Sequence, residues 1–398
     1  HSLALKADRT VVGWGNNGHG QTNVPTGLAN VMAIAAGANH SLALKTNGTV
    51  VGWGNDYYGQ TNVPTGLTNV VAIAAGDYHS LALRADGTVV GWGNNYYGQV
   101  NGVPMPYPPF TNSGVVMVAT QVLSNVVAIA AGQSYSLARL RDGTVFGWGC
   151  NYFGQATGVP SNQEPPIGAG AVKVAGQTLS HVAAIAAGGE HSLALKADGT
   201  VVAWGDNQHR QCGLPASVTW RGAIAAGGYH NLALKADGTV FGWGNNEDGK
   251  ISVPAGLTNV VAIAAANDSL ALKADGTVVG WGRNDFGEAI IPTNLTDVAA
   301  IAAGGWHTLA LKADGTVAGW GYNGYGETRT TGLSNVVAIA AGFEFSLALK
   351  ADGTVVGWGN NGAGQTNVPA GLTNVVAIAA GSDFSLALKA DGTVVAWG

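Results

Sequence analysis

Six histidines recur at one place in a repeated phrase: His1, His40, His79, His191, His230 and His307. Such a series invites a reading as metal ligands or acid–base groups. Geometry argues against a shared ion. Equivalent residues of successive strand units lie on different sheets, which pack about 10 Å apart, whereas zinc ligands sit about 2.0–2.1 Å from the metal. Tyr135, Asp268, Phe345 and Phe384 take the same place with the surrounding sequence undisturbed. The expected role is therefore structural, capping a strand and packing between units. Nine of the 23 acids are one recurring Asp, as in Asp86, Asp198 and Asp352, in a position that reads as turn chemistry. Too few acids remain for a carboxylate pair. There is also no nucleophile motif, phosphate-binding loop or zinc spacing, so the expectation is no enzyme activity, no catalytic residue, no metal and no cofactor. Cys150 and Cys212 replace Asn and Thr of neighbouring units at repeat positions six residues apart. A disulfide needs Cα atoms about 4.4–6.8 Å apart, so two free thiols are expected and the redox compartment stays open.

The elements that must position these residues are written as a repeat. The phrase begins near residues 1, 40, 79, 135, 191, 230, 268, 307, 345 and 384, at spacings of 38 or 39 residues with two of 56. Each unit holds three short apolar runs, as in residues 70–76 (Val-Val-Ala-Ile-Ala-Ala-Gly), 79–84 (His-Ser-Leu-Ala-Leu-Arg) and 88–93 (Thr-Val-Val-Gly-Trp-Gly). Each run has the length of a strand and is too short for a typical helix. Ala-Asp-Gly between the second and third runs supplies a hairpin turn, the Gly taking positive φ. Nine of ten copies carry that Gly, and Arg9 is the exception; a non-Gly residue there costs roughly 1–2 kcal/mol, which predicts a frayed or rearranged first hairpin. A lone three-stranded sheet cannot cover its own faces, so the units must stack. The abundance of glycine, 62 residues, and the low charged fraction of 10% fit buried sheets joined by tight turns.

The pattern G-x-x-H-S-L-A-L-K-x-D-G-x-V-x-x-W-G-x-N-x-x-G-Q resembles the regulator of chromosome condensation repeat over nearly the whole chain. The short unit, with Gly-Gln-Thr-Asn-Val-Pro followed by Val-Val-Ala-Ile-Ala-Ala-Gly, is similar to the bacterial propeller-type β-lactamase inhibitory proteins. The resemblance implies a closed β-propeller with short, mostly three-stranded blades, although propellers of those families have seven. The reading is an all-β single repeat domain spanning residues 1–398. Nine blades plus one spare hairpin is the direct tally, with ten blades or a piece of a longer array as alternatives. Insertions at 101–124 and 156–180 lengthen two units, and residues 114–119 and 170–175 are each expected to add a fourth, outer strand. The lack of an initiator Met and of a signal peptide suggests excision or processing. The inhibitor resemblance points to the extracellular space or cell envelope of a bacterium.

Net charge is -5, and lysines fall singly at one repeat position, as in Lys6, Lys45, Lys196 and Lys235. A phosphate-binding surface needs clustered positive charge, so nucleic acid is not expected as a partner. No apolar stretch reaches the roughly 18 residues of a membrane span.

The chain supplies its own alignment, and two short windows vary within it. One joins the first and second strands and contains Tyr78, Tyr229, Trp306 and the pair Phe343-Glu344. The other follows Trp-Gly and contains Tyr57, Tyr58, Tyr96, Tyr97, Tyr152, Phe153, Phe286 and Tyr325. In an up-down-up sheet both windows fall at one end, opposite the constant Ala-Asp-Gly turn. Large aromatics on a rigid frame bury much area for little lost entropy. All of these except Phe343 and Glu344 are the candidate contacts of a non-catalytic module that binds a protein partner. Similar loops face the target in the inhibitor family, which implies the same use here. A multivalent carbohydrate-binding propeller and a scaffold module of a larger surface protein are the alternatives.

Overall fold

The computed structural model describes residues 1–105, 107, 111–118, 121–208, 212–213, 220–227 and 229–398. Each repeat forms an antiparallel meander. In the repeat around His79 the strands are Val70–Ala75, His79–Arg84 and Val89–Asn94. Their register pairs Ala75 with Ser80 and His79 with Gly93. A bulge between Val70 and Ala72 bends the first strand, and it recurs in the neighbouring sheets. At the hairpin, Gly87 takes φ 81, and Asp86 accepts bonds from the Thr88 amide at 2.9 Å and hydroxyl at 2.7 Å. That carboxylate fixes the turn, as the sequence predicted for this position.

The first hairpin, Ser2–Leu5 with Val11–Trp14, is shorter but keeps its register. Arg9 adopts φ 63 rather than fraying the turn, which corrects the expectation from sequence. The turn holds because the Arg9 amide still donates to the Lys6 carbonyl at 2.9 Å, and Asp8 still receives the Thr10 amide at 2.9 Å.

Two compact units divide the chain, one formed mainly by His1–Gln208 and the other mainly by Val218–Gly398. Among the described residues, the first contains the N-terminal hairpin and four sheets whose second strands are His40–Lys45, His79–Arg84, Tyr135–Leu140 and His191–Lys196. The second contains five three-stranded sheets, centred on His230–Lys235, Asp268–Lys273, His307–Lys312, Phe345–Lys350 and Ser385–Lys389. A 3-10 turn at Glu247–Gly249 is the one helical element among the described residues. None is long and apolar enough to cross a membrane.

Within a unit the core lies between successive sheets. Side chains alternate along a strand, so His40, Leu42 and Leu44 face the following sheet while Ser41 and Ala43 face the preceding one. Leu42 and Leu44 accordingly cluster with Ala82, Val90 and Trp92 of the next repeat. Burying each such leucine contributes about 1.5–3 kcal/mol, and both faces of the second strand are covered. Gly91 permits the chain after the third strand to fold back on it. A Cβ there would collide with the Val100 carbonyl oxygen.

Fourth strands are present in the two long repeats, at Thr111–Val115 and Ile167–Ala171. They begin and end earlier than predicted. The Val116 and Val172 amides donate to the Val89 and Val145 carbonyls at 2.9 and 2.8 Å, and both side chains are fully buried. The turn inward ends each strand. The residues beyond form small separate hairpins, Met117–Val118 with Gln121–Val122 and Lys173–Val174 with Gln177–Thr178.

Candidate partner-binding loops

The loop ends are carried by a clasp that links neighbouring sheets within a unit. Ser80 donates its hydroxyl hydrogen to the Gln60 carbonyl of the preceding repeat at 2.8 Å, and the Trp92 indole donates to the same oxygen at 2.9 Å. His40 Nε2 lies 2.9 Å from Ser80 Oγ. A serine has one hydrogen to give, so His40 must be the donor, which fixes the tautomer protonated on Nε2. The same arrangement joins His79 to Ser136, His230 to Ser269 and His307 to Ser346. Burial holds these imidazoles neutral, with pKa lowered to about 4 in His40, His230 and His307 and to about 3 in His79. Tyr135 takes the histidine place with the bonding changed, its hydroxyl donating to the His191 carbonyl and accepting from Ser192 Oγ at 2.8 Å. The histidines thus act singly, as donors between sheets. Among the described residues no three His, Cys, Asp or Glu side chains gather into a metal-binding group.

The Gln60 that supplies the carbonyl also builds the loop from its side chain. Its Oε1 accepts the Tyr58 amide at 2.9 Å, and its Nε2 donates to Asn55 Oδ1 at 3.0 Å, which also receives the Tyr57 amide at 2.9 Å. Gln99 and Asn94 repeat this frame around Tyr96 and Tyr97. The backbone of these variable pairs is therefore pinned by a glutamine and an asparagine that recur in several repeats, while the pair itself is free to change. The two variable windows adjoin, since the Asn94 amide donates to the Tyr78 carbonyl at 2.9 Å and the Tyr322 amide to the Trp306 carbonyl at 2.8 Å.

In the first unit the predicted aromatics form small groups. Tyr57 and Tyr58 meet edge to face at 4.8 Å, and Tyr58 meets Tyr78 at 5.5 Å. Tyr96 pairs with Tyr97 and Tyr152 with Phe153, each at 4.7 Å. Tyr57 and Tyr152 are the outward members, 81% and 61% exposed. In the second unit five rings form one continuous cluster. Phe286 lies 5.0 Å from Tyr322 and 6.0 Å from Trp306; Trp306 lies 4.6 Å from Phe343; Tyr322 lies 6.5 Å from Tyr325. Tyr229 stands exposed, with no ring contact among the described residues. Sequence reasoning selected Phe286, Trp306 and Tyr325 but not Tyr322 or Phe343, although both lie in the variable windows. The available signal was adjacency, because the two windows of one repeat touch each other and the next repeat's first window.

Cys150 and Cys212 are free. Burial raises both thiols above their usual range, Cys212 to about 11 with help from Asp206.

The sequence pattern of the regulator of chromosome condensation (RCC1) repeat matches residues 1–21, 32–60, 70–99, 126–155, 182–211, 223–250, 298–327, 336–365 and 375–398, more than half of the chain. The chain belongs to the RCC1 repeat family. Relatives include a probable E3 ubiquitin-protein ligase, HERC6 of Homo sapiens, 37% identical over 24% of this chain and 9% of its own length. Protein RCC1 of Candida albicans is 36% identical over 23% of this chain and 21% of its own length. The match thus spans less than a quarter of either relative. A similar solved structure is that of Prp20p from Saccharomyces cerevisiae, described with its binding to Gsp1p and histones. It is 23% identical, with coverage of 91% of this chain and 83% of that one and a TM-score of 0.43.

One RCC1-type sheet, centred on Asp268–Lys273, falls outside the matched segments. Asp268 takes the histidine place, and Thr308 takes that of the serine, with Thr308 Oγ1 3.3 Å from Asp268 Oδ2. Burial, backed by the charge of Glu288, raises the Asp268 carboxyl to about 7. A protonated carboxyl can donate to the threonine as histidine does to serine. Glu288 and Glu327 replace the loop glutamine, and each keeps one oxygen on the amide of the variable pair, from Phe286 at 2.8 Å and Tyr325 at 3.0 Å. Their other oxygens are buried with no partner among the described residues.

Proposed function

We propose that this chain is a non-catalytic binding module that holds a protein partner on its variable aromatic loops. The observation that carries this reading is the cluster of Phe286, Trp306, Tyr322, Tyr325 and Phe343. Its rings remain partly exposed although they pack on one another. A cluster of this kind on pinned loops is suited to a hot spot, since little side-chain entropy is left to lose on binding. Nothing in the arrangement calls for a cofactor. The net charge of -5 argues against nucleic acid as the partner.

The narrower form of the proposal is a bacterial inhibitor-like propeller, its sheets closed into a ring and displayed outside the cell or on its envelope. Negative-stain electron microscopy would read closure as a disc. Titration against a β-lactamase would test the inhibitor form.

The direct test is a quantitative pull-down from extracellular and envelope fractions with the parent chain and with a Phe286→Ala, Tyr325→Ala double variant. Tyr57, Tyr58, Tyr96 and Tyr97 are replaced by alanine in a second variant. A protein retained by the parent and lost by a folded variant supports the reading. Equal recovery by parent and both variants removes it.

A further inference from the structure

We infer that a cleft in the first unit, between the 56–62 loop and the extra strand Thr111–Val115, is a binding site for a neutral sugar residue. The inference goes beyond the protein-binding proposal, with which it shares Tyr57 and Tyr58. The cleft has a volume of about 570 Å³, within the roughly 300–1,000 Å³ of small-molecule sites. The loop forms one wall and the extra strand the other. The Trp92 bond to the Gln60 carbonyl holds the loop against its neighbour sheet.

The loop wall differs chemically from its copies. In five other repeats an asparagine at this place donates its Nδ2 to the side chain six residues on: Asn17 to Asn23, Asn95 to Asn101, Asn151 to Thr157, Asn246 to Ser252 and Asn361 to Asn367, at 2.8–3.2 Å. Here the residue is Asp56, which has no hydrogen to give. One of its oxygens takes the Thr61 amide and hydroxyl at 3.0 and 2.6 Å. The other oxygen, and the whole Asn62 carboxamide, have no hydrogen bond among the described residues. A carboxylate oxygen and an amide are thereby released into the cleft, side by side.

The strand wall adds hydroxyls. Thr111, Ser113 and Val115 share one face of the strand, and Val115 packs with Val63 and Leu67 beyond the same loop. The Thr111 and Ser113 hydroxyls are likewise unbonded among the described residues. The other four-stranded sheet gives an internal comparison, because its outer strand carries Ile167 and Ala169 at these positions. The loop that faces that strand, held by the Trp148 bond to the Gln99 carbonyl, keeps its asparagine bond from Asn95 to Asn101. Hydroxyls and released polar groups therefore occur together in one cleft and are both missing from its counterpart.

The Tyr57 ring stands at the cleft, 81% exposed, held edge-on by Tyr58, which is itself braced by Tyr78. A flat apolar ring beside a carboxylate, an amide and two hydroxyls matches a ligand with an apolar C–H face and a rim of groups that both donate and accept. A pyranose has those features. A lysine side chain would satisfy the carboxylate but leave the hydroxyls and amide without acceptors or donors of their own.

Saturation-transfer difference NMR on the full chain tests this, using the methyl glycosides of glucose, galactose, mannose and N-acetylglucosamine, with Nα-acetyl-lysine methylamide as the competing probe. The expected result is saturation of at least one glycoside. Its affinity should fall roughly tenfold or more, a loss of at least one good hydrogen bond, in Asp56→Asn and in Tyr57→Ala. Asp56→Asn installs the residue that eight other copies already carry and recloses the amide bond to Asn62, so it keeps the fold. Tyr152→Ala should leave binding unchanged. Binding of none of the glycosides, binding of the lysine probe alone, or equal glycoside binding by parent and Asp56→Asn would overturn the inference.

Discussion

His79 Nε2 donates to Ser136 Oγ across 2.9 Å and 57 residues of sequence, and Ser136 passes its own hydrogen to the Gln99 carbonyl at 2.9 Å. One serine therefore joins a histidine of the preceding sheet to the loop that carries Tyr96 and Tyr97. Removing its hydroxyl leaves a buried imidazole N–H and weakens the hold on a buried carbonyl. Ser136→Ala should destabilise the first unit by about 1–3 kcal/mol. Ser385 bonds the Gln365 carbonyl in the same way at 2.7 Å, but the preceding sheet there presents Phe345, which has no donor. Ser385→Ala should cost less. Urea unfolding followed by tryptophan fluorescence would compare the two, and equal losses would show that the histidine bond adds nothing.

The clasp also sets a pH dependence whose sign differs between sites. For His40, His79, His230 and His307 the folded pKa lies below the ordinary value of 6.5. The unfolded chain then binds more protons, so their contribution is complete above about pH 6.5 and is lost as pH falls toward 4. Asp268 runs the other way. Its folded pKa, about 7 against an ordinary 3.8, means that the folded chain holds the extra proton and that stability is lost as pH rises through 4 to 7. Asp268→Asn should stabilise the second unit at pH 8, by an amount on the order of 4 kcal/mol for a shift of this size, and do little at pH 4. Thermal melts of parent and variant at the two pH values check it. A benefit independent of pH would show that the carboxyl does not titrate as argued.

Arg9 offers a gain rather than a loss. It stands at φ 63 where nine other turns place glycine or its equivalent, as Gly87 does at φ 81. Arg9→Gly should stabilise the first hairpin by about 1–2 kcal/mol, seen as slower amide exchange from Leu3 to Val12. The converse change, Gly87→Ala, should destabilise its hairpin by a similar amount.

Much of this was legible because the chain repeats. Strand order, the hairpin Asp, the placing of both variable windows at one end and the structural use of histidine follow from aligning the copies. The partner of each histidine was not legible. His79 reaches Ser136 only because sheets stack in register, a relation that no strand periodicity encodes. Gln60 and Asn55 also passed unread as loop supports, although a recurring Gly-Gln beside varying aromatics was the available sign. Tyr322 and Phe343 were missed because the windows were judged singly, whereas the cluster arises from windows of adjoining sheets.

That division between recurring frame and variable pair leads to the last prediction. The Gln99 carbonyl takes the Trp148 indole hydrogen at 2.9 Å, whereas the residue's side chain acts on the loop. Its side chain accepts the Tyr97 amide at 2.9 Å and donates to Asn94 at 2.9 Å, and the residue is 2% exposed. If the loops bind through preorganised rings, Gln99→Ala should weaken partner binding by loosening Tyr96 and Tyr97, while both rings remain present. The loss should appear in the dissociation rate and be roughly tenfold, as expected when an ordered loop must be immobilised on binding. Gln99→Glu keeps the acceptor for the Tyr97 amide, as Glu327 does for Tyr325 at 3.0 Å, and should recover most of the affinity. Surface plasmon resonance with the captured partner separates these outcomes. If Gln99→Ala binds as the parent does, the rings recognise their partner without the frame, and the residue serves only the clasp between sheets through its carbonyl.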